Sequence, residues 1–371
     1  MDEHSLSDNI KETPFYKYHV AAGAKMVPFA GYLMPIQYTG ITEEHLAVRK
    51  NVGMFDLSHM GEFEISGPKA LEFIQMMTTN DASKLTVGQI QYSILCYPDG
   101  GIVDDLLVYR LTDKYMLVVN ASNIDKDFEW LKSHLIEGAK LVNRSDEFGL
   151  LAVQGPNAQK VVSQITDFDL ETIPYYNCAV IKSGKHTFLI SRTGYTGEDG
   201  FEMYLTQEMC DDLWKACIVA GRKFDMKLIG LGARDSLRLE MKMALYGNDI
   251  DKSTTPIEAG LAWVVSFDKG DFMARNILLK QKEEKPKRRL ICLELEGKAF
   301  PRHGYDLVAG SEIVGQVTSG TFSPSLQKPV AMGYLPLKMT ALGNAVDVKI
   351  RDRLFPAVVV KPPFYKEGTH R

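Results

Sequence analysis

The feature that most constrains the fold is an arrangement that occurs twice along the chain. The stretches EISGPKALEFI (64–74) and AVQGPNAQKVV (152–162) each predict a strand, a Gly-Pro turn and a helix. Proline suits the first position of a helix, because the N–H that it lacks has no partner there. A hairpin-like strand pair follows each stretch, and then a helix containing Asp-x-x-Trp, at 127–130 and at 211–214. This common order indicates a diverged duplication, and therefore two antiparallel α+β units that face each other.

The two hairpins place acidic residues in comparable positions. The first is QYSILCYPDGGIVDDLLVYRL (91–111) and the second is HTFLISRTGYTGEDGFEMYLT (186–206). Both turns contain Asp-Gly, which is a strong turn signal. Asp104 and Asp105 follow the first turn, and Glu202 follows the second. If the second strands are equivalent, acids from both units line one cleft; the alternative for Glu202 is a half-exposed strand residue.

The adjacent acids Asp104 and Asp105 interrupt an otherwise apolar strand. Aspartate is depleted in strands, and a buried carboxylate is costly unless it is paired. Successive side chains of a strand point to opposite faces, so at most one of the two can enter a given pocket. Alternation does not choose between them, and both could instead serve the turn.

The stretch GLGARDSLRLEMKMALYG (230–247) predicts a helix that begins near Gly232 and ends at Gly247. Arg234 in its first turn opposes the helix dipole, which predicts an anionic or carbonyl-rich neighbour, either a protein carboxylate or a ligand. The segment GLGARD lacks the third glycine of a dinucleotide-binding loop, and no convincing βαβ unit follows it.

The pattern changes after a charged segment that contains Pro286. We assign 1–280 to one region of two interleaved α+β units, with the second-unit insert at about 54–135. In 286–371, short alternating strands separated by turn residues predict an all-β, barrel-like domain. The predicted fold class is α+β, with two pseudo-repeated antiparallel units and a C-terminal barrel-like domain.

Composition argues against several functions. A formal net charge of −4 does not favour nucleic-acid binding, and no apolar stretch reaches the length of a membrane span. The start MDEHSLSDNI resembles neither a signal peptide nor a transit peptide, so we expect a cytoplasmic protein. The five cysteines and eight histidines show no metal-ligand spacing, which predicts free thiols and no metal site.

Seven stretches together carry a family resemblance: MVPFAGYLMPIQY, VRKNVGMFDLSHMGEF, GGIVDDLLVY, SRTGYTGEDGFE, GLGARDSLRLE, GQVTSGTFSPSL and KPPFYK. In this order, from about Thr13 to Tyr365, they resemble the aminomethyltransferases, the T-proteins of the glycine cleavage system. The chain departs from the family at Tyr32, where a tryptophan is usual. It also departs at Met243, where relatives can carry an aromatic residue near the folate pocket.

The resemblance implies a three-part fold around a central folate cleft and a one-carbon transfer. The family takes the aminomethyl group from the lipoyl arm of the H-protein and passes its methylene carbon to tetrahydrofolate. Ammonia and the dihydrolipoyl H-protein are released, and the family needs no metal.

The resemblance also assigns roles to residues. Asp105, the second acid of Gly-Gly-x-x-Asp-Asp, matches the catalytic carboxylate, which would stabilise iminium-like charge and organise proton transfer. Glu202 matches the glutamate that hydrogen-bonds the pterin, and Arg234 matches a further folate contact. The remaining matches in the folate site are Tyr365, Tyr92, Asn120, Met60, Tyr195 and Trp263.

Two other functions stay open. A related folate-dependent demethylase would act on a small methylated sulfur or nitrogen compound, and a folate-binding maintenance protein would not catalyse a reaction. The intact GGIVDD and GYTGEDGFE segments favour the aminomethyltransferase.

Overall fold

The structure, a computed structural model, describes residues 10–370, so nearly all of the MDEHSLSDNI segment lies outside the described residues. The helices are α1 (Tyr16–Ala21), α2 (Ile41–Lys50), α3 (Ala70–Met77), α4 (Ile124–Ser133), α5 (Ala158–Val162), α6 (Gln207–Gly221), α7 (Leu231–Glu240) and α8 (Arg275–Glu284). The strands are β1 (Lys11–Glu12), β2 (Lys25–Phe29), β3 (Tyr32–Gln37), β4 (Gly53–Asp56), β5 (Gly61–Ser66), β6 (Ile90–Cys96), β7 (Ile102–Arg110), β8 (Lys114–Val119), β9 (Lys140–Asn143), β10 (Phe148–Gln154), β11 (Cys178–Ser183), β12 (His186–Ser191), β13 (Gly200–Thr206), β14 (Lys227–Ile229), β15 (Arg288–Leu295), β16 (Asp306–Ala309), β17 (Glu312–Ser323), β18 (Lys328–Pro336), β19 (Ala345–Ile350) and β20 (Arg353–Val360).

The strands form three open sheets and one closed barrel. Strands β1, β3 and β2 make a small sheet; a five-stranded sheet has the order β6-β7-β8-β5-β9, and a six-stranded sheet has the order β11-β12-β13-β10-β4-β14. The barrel has the order β15-β18-β17-β16-β19-β20. The predicted α+β class and the C-terminal barrel are therefore confirmed.

The two larger sheets repeat one design. The orders β6-β7-β8-β5 and β11-β12-β13-β10 match, and the helices with Asp-x-x-Trp, α4 and α6, follow β8 and β13. Pro68 and Pro156 each lie two residues before a helix rather than at its first position. The reason is a turn that closes first: the N–H of Ala70 donates to Gly67 O, and that of Ala158 to Gly155 O.

The equivalence of the second hairpin strands is wrong by one strand. The hairpin predicted in the first unit is β6-β7, whereas the one predicted in the second unit is β12-β13. Because the orders β6-β7-β8-β5 and β11-β12-β13-β10 match, β13 corresponds to β8 and not to β7. Tyr109 pairs with Met116, and Ser191 pairs with Glu202. Glu202 therefore corresponds to Met116 of β8. Asp105 lies on β7, whose counterpart in the second unit is β12.

The two sheets are interleaved. Strand β4 leads into β5 but pairs with β10, whereas β9 leads into β10 but pairs with β5. One face of each sheet packs on its own helices: Phe63 and Ile65 lie in one core, and Phe201 and Met203 lie in the other. The opposite faces meet each other through an apolar layer that includes Tyr109 and Tyr204. Burying each large side chain contributes roughly 1.5–3 kcal/mol.

Helix α7 ends earlier than the sequence predicts. It stops at Glu240, Lys242 has a positive φ of 57°, and Leu245 lies beyond the helix. The guanidinium of Arg238 donates to Met243 O at 3.2 Å and to Asp249 Oδ2 at 2.6 Å, which holds the chain in a turn. The residues after α7 are thereby free to line a cavity instead of extending a helix.

Candidate active site

A cavity of about 670 Å³ lies between the two large sheets and the segment that follows α7. It is lined by eight of the predicted site residues: Met60, Tyr92, Asp105, Asn120, Tyr195, Glu202, Arg234 and Trp263. Met243, the position of the family departure, lies in the same wall. The structure therefore brings together residues that are far apart in the sequence, from Met60 to Trp263.

Tyr365 is the predicted residue that does not line this cavity. The guanidinium of Arg49 lies 4.1 Å from the ring centroid of Tyr365, and the backbone N–H of Tyr365 donates to Glu240 O at 3.0 Å. Glu240 directly precedes Met241, which does line the cavity. The folate contact of Tyr365 stays a prediction.

The hairpin before β7 separates the roles of its acids. The carboxylate of Asp99 accepts the N–H of Gly101 at 3.0 Å, so Asp99 serves the turn. Gly101 has no room for a side chain, because a Cβ would lie 2.2 Å from Lys252 O. Asp104 and Asp105 lie inside β7 on opposite faces, and the interpretation of both as turn residues is wrong.

Asp105 is the acid that lines the cavity. The hydroxyl of Tyr92 donates to its Oδ2 at 2.8 Å, and Asn120 Nδ2 donates to its Oδ1 at 2.9 Å. Burial and the neighbouring charge of Asp104 raise the pKa of Asp105 to about 7, although both hydrogen bonds act in the opposite direction. A carboxyl group with this pKa can exchange a proton at neutral pH.

Glu202 is fixed by a chain of hydroxyl groups. Thr193 Oγ1 donates to Glu202 Oε2 at 2.5 Å and lies 2.7 Å from Ser191 Oγ. Tyr109 donates to Ser191 at 3.2 Å and contacts the hydroxyl of Tyr204 at 2.7 Å. Burial raises the pKa of Glu202, while Thr193 and the charge of Arg234 lower it. One face of the carboxylate is thus held, and it can accept donors from a ligand.

Arg234 supplies a positive charge whose donors are unused. Its guanidinium lies 4.7 Å from the ring centroid of Tyr195, and within residues 10–370 its side chain makes no hydrogen bond. The negative charge of Glu202 favours the charged form of Arg234, in agreement with the protein carboxylate predicted beside this helix start. Because an arginine fork has five N–H donors, Arg234 can also bind carbonyl or anionic groups of a ligand.

Aromatic rings complete the walls. Tyr92 and Trp263 stack with centroids 5.9 Å apart, and Trp263 is 70% exposed at the rim. Sequence reasoning did not identify several lining residues, because neither a period nor a motif marks them: Asn80, Gln91, Tyr175, Tyr176, Thr193, Met241 and Lys242. In the sequence, the adjacent tyrosines at 175 and 176 are the one feature that could have indicated this part of the cavity wall.

The arrangement suits a flat, polar, partly aromatic ligand. Carboxylates at two points can accept N–H groups, and rings can pack against a ligand face. Among residues 10–370, no group of three or more His, Cys, Asp or Glu side chains is placed to hold a metal ion. The same part of the chain has no helix that is long and apolar enough to cross a membrane. All five cysteines are free, as predicted.

Comparisons with known proteins agree with the resemblance. The GCVT N-terminal domain matches residues 15–269, and the glycine cleavage T-protein C-terminal barrel domain matches residues 288–366. An aminomethyltransferase of Bacteroides thetaiotaomicron is 50% identical over 363 residues, which are 96% of this chain and 100% of that protein. One from Phocaeicola vulgatus is 51% identical with the same coverage. The crystal structure of glycine cleavage system aminomethyltransferase T from Bartonella henselae superposes with a TM-score of 0.91 at 35% identity, covering 98% of this chain and 100% of that one.

Proposed function

The chain belongs to the glycine cleavage T-protein family and is an aminomethyltransferase, and from this premise we propose its substrates and the roles of its residues. It takes the aminomethyl group from the lipoyl arm of the H-protein and transfers the methylene carbon to tetrahydrofolate. The observation that carries this proposal is the meeting of Asp105, Glu202 and Arg234 in one aromatic-lined cavity.

Binding of tetrahydrofolate would use the fixed polar groups of the cavity. The amino and ring N–H groups of a pterin are donors that match the Glu202 carboxylate. Arg234, whose donors are unused, would bind carbonyl oxygen or negative charge. The rings of Tyr92 and Tyr195 would exclude water beside them.

Asp105 would act on the charge that forms during transfer. Cleavage of the carbon–nitrogen bond releases ammonia and leaves positive charge on the carbon, which folate N5 attacks. Closure by N10 then displaces the lipoyl thiol, and the two folate N–H protons end on ammonia and on the thiol. A buried, ionised carboxylate stabilises the cationic carbon and can relay one of these protons.

The direct test supplies aminomethylated H-protein and tetrahydrofolate to the purified protein. We expect ammonia and 5,10-methylenetetrahydrofolate in equal amounts, and neither product when one substrate is omitted. Transfer of a one-carbon group from small methylated amines to tetrahydrofolate would instead favour the demethylase. Tight folate binding without turnover of any donor would favour the maintenance protein.

A substitution at Glu202 tests the pterin contact. We expect Glu202→Ala to weaken tetrahydrofolate binding roughly 10- to 100-fold in calorimetry, because a hydrogen bond to a charged group contributes about 1.5–3 kcal/mol. Glu62→Gln is the matched control, since Glu62 is also a buried carboxyl of the inter-sheet layer but does not line this cavity. Equal affinities in Glu202→Ala and the wild type would remove the pterin role.

Two further expectations remain predictions. The division of the chain at 280–286 and the cytoplasmic location both agree with the proposed function, and neither is needed for it.

A further inference from the structure

Behind Asp105 lies a second buried acid that the proposed mechanism does not use. Asp104 is fully buried, with an exposed fraction of 0%. Its Oδ1 accepts Asn123 Nδ2 at 2.6 Å and Asn120 Nδ2 at 2.9 Å, and its Oδ2 accepts the backbone N–H of Asn120 at 3.1 Å. Three donors from one loop therefore converge on this carboxylate.

Asn120 connects Asp104 to Asp105. The same Nδ2 that donates to Asp104 also donates to Asp105 Oδ1 at 2.9 Å and lies 3.1 Å from Asp105 O. With its amide reversed, Asn120 would direct an oxygen at both carboxylates. A charged Asp104 therefore fixes which side of the Asn120 amide faces Asp105.

A third acid, Asp127 of α4, is also fully buried beside Asp104. No N–H or hydroxyl of residues 10–370 donates to its oxygens, and Lys126 Nζ is 3.6 Å from its Oδ1. The Asp104 and Asp127 carboxyl groups lie close enough for the charge of Asp104 to raise the pKa of Asp127, together with burial, to about 11. Three N–H donors stabilise a negative charge on Asp104 and none stabilises one on Asp127, so the geometry places the charge on Asp104 and the proton on Asp127.

Resting on the proposed function, we propose that Asp104 is a positioning residue that carries the single negative charge of the Asp104–Asp127 pair. It holds the Asn120 amide on Asp105 and, by its charge, makes Asp105 a stronger base. Asp127 stores the proton that keeps this buried pair at one net charge. The titratable and charged groups that face the cluster come from β6, β7 and α4 and from the segments after β6, α5, β12 and α7. They are Tyr92, Tyr97, Asp105, Lys126, Tyr176, Tyr195 and Tyr246.

The test compares the same substitution, aspartate to asparagine, at Asp104 and at its neighbour Asp127. In the wild type, kcat/KM should rise with pH through about 7, because Asp105 must lose its proton. In Asp104→Asn we expect this rise about one pH unit lower or more, since a like charge is gone, and a fall in kcat of about 10-fold. In Asp127→Asn a neutral amide replaces a neutral acid, so the rise should stay within a few tenths of a unit.

Two outcomes would overturn the proposal: an unmoved profile in Asp104→Asn, or an equal displacement in Asp127→Asn. Infrared difference spectra at pH 7 give a readout that needs no turnover. Glu62 and Asp105 also contribute to the absorption of buried protonated carboxyl groups at this pH. The spectrum of Asp127→Asn should therefore lack one such carboxyl band that the wild type shows, and an identical set of carboxyl bands would show that the proton is elsewhere. Because this readout is independent of substrate, failure of the proposed function and failure of this proposal are distinguishable.

A different observation carries a second proposal, which does not depend on the reaction. A separate cavity of about 540 Å³ opens between the same sheets. Its lining combines apolar residues such as Phe148 and Phe188 with the charged residues Glu62, Glu64, Asp113, Lys114 and Arg144. Glu62 is 2% exposed, and within residues 10–370 no donor reaches its carboxyl group. Glu64, two residues on, is paired with Lys114 at 2.7 Å, so the unpartnered acid is the inner one.

We infer that this cavity binds small molecules that join an apolar ring to a basic nitrogen. An amidinium or ammonium group would pair with Glu62, and the ring would replace water against the apolar walls. Since burial favours the protonated acid, binding of a cation should release the Glu62 proton to the buffer.

Benzamidine is the probe. Calorimetry in two buffers of different ionisation enthalpy should show binding to the wild type with a heat that depends on the buffer, which reports the released proton. Glu62→Gln should weaken binding at least 10-fold and abolish proton release. Asp105→Asn, which changes an acid of the other cavity, should retain both and so separates the two cavities. Neutral benzamide is the matched probe and should bind more weakly. No binding of benzamidine, or equal binding to Glu62→Gln, would refute the site.

Discussion

Asp105→Asn should lower the turnover of aminomethyl transfer at least ~100-fold, the usual lower range for loss of a positioned electrostatic or acid–base group. The amide keeps the shape of the side chain: its oxygen can still accept Asn120 Nδ2, and its NH2 group can donate to the Tyr92 hydroxyl in place of accepting from it. It cannot carry negative charge, so it neither stabilises the cationic carbon nor accepts a proton. The measurement is the rate of methylenetetrahydrofolate formation at saturating substrates, together with the dissociation constant of tetrahydrofolate, which should change far less.

Stability measurements show whether the loss is chemical or structural. The pKa of Asp105 is about 7 in the folded protein, above the value near 4 of an unfolded chain. Because the unfolded chain loses this proton first, the stability that the group contributes falls as the pH rises from about 4 to about 7 and is constant above 7. Asp105→Asn should gain thermal stability relative to the wild type at pH 8 more than at pH 5. Wild-type turnover in this variant would remove the catalytic role, and Asp104→Asn should be the milder change.

Arg238→Met should destabilise the protein by about 3–5 kcal/mol, because it leaves a buried carboxylate without its charged partner. Arg238 and Asp249 are both buried, and Arg238 Nη1 lies 2.6 Å from Asp249 Oδ2. Arg238 also donates to Ser319 of the barrel at 2.8 Å, which joins α7 to the barrel. We expect calorimetry to show a lower melting temperature and separate unfolding transitions for the region that contains α7 and for the barrel.

The control for this substitution is an exposed ion pair. Lys11 and Asp146 lie 2.8 Å apart but are mostly solvent-exposed, so Lys11→Met should cost less than about 1 kcal/mol. The double variant Arg238→Met/Asp249→Leu should recover part of the loss, since no charge then stays buried. Equal melting temperatures for Arg238→Met and Lys11→Met would show that the buried pair does not stabilise the junction.

Local patterns predicted much of this fold. Turn residues and period-two alternation identified the hairpins, the duplication and the opposite orientations of Asp104 and Asp105. Alternation could not choose between these acids, because the choice depends on which sheet face meets the cavity, a long-range property. The resemblance selected Asp105, and the cavity agrees with that selection.

The errors also have long-range causes. The sequence predicts that the helix at 230–247 continues to Gly247, but Arg238 binds a carbonyl beyond the end of α7 and turns the chain. The hairpin comparison overlooked β8, because a short apolar strand resembles its neighbours. The hydroxyl chain behind Glu202 joins residues of three strands and has no motif.

The exchange of β4 and β9 between the sheets limits how substrates can reach the cavity. Each cavity wall contains a strand that is covalently continuous with the opposite wall, through short connections on both sides. The walls therefore cannot part like two domains on a hinge without breaking strand pairs. Entry and exit must use the remaining side, where the segment after α7 and the exposed Trp263 form the rim. The cavity is consequently a chamber whose two sheet walls are tied together and which opens at one border.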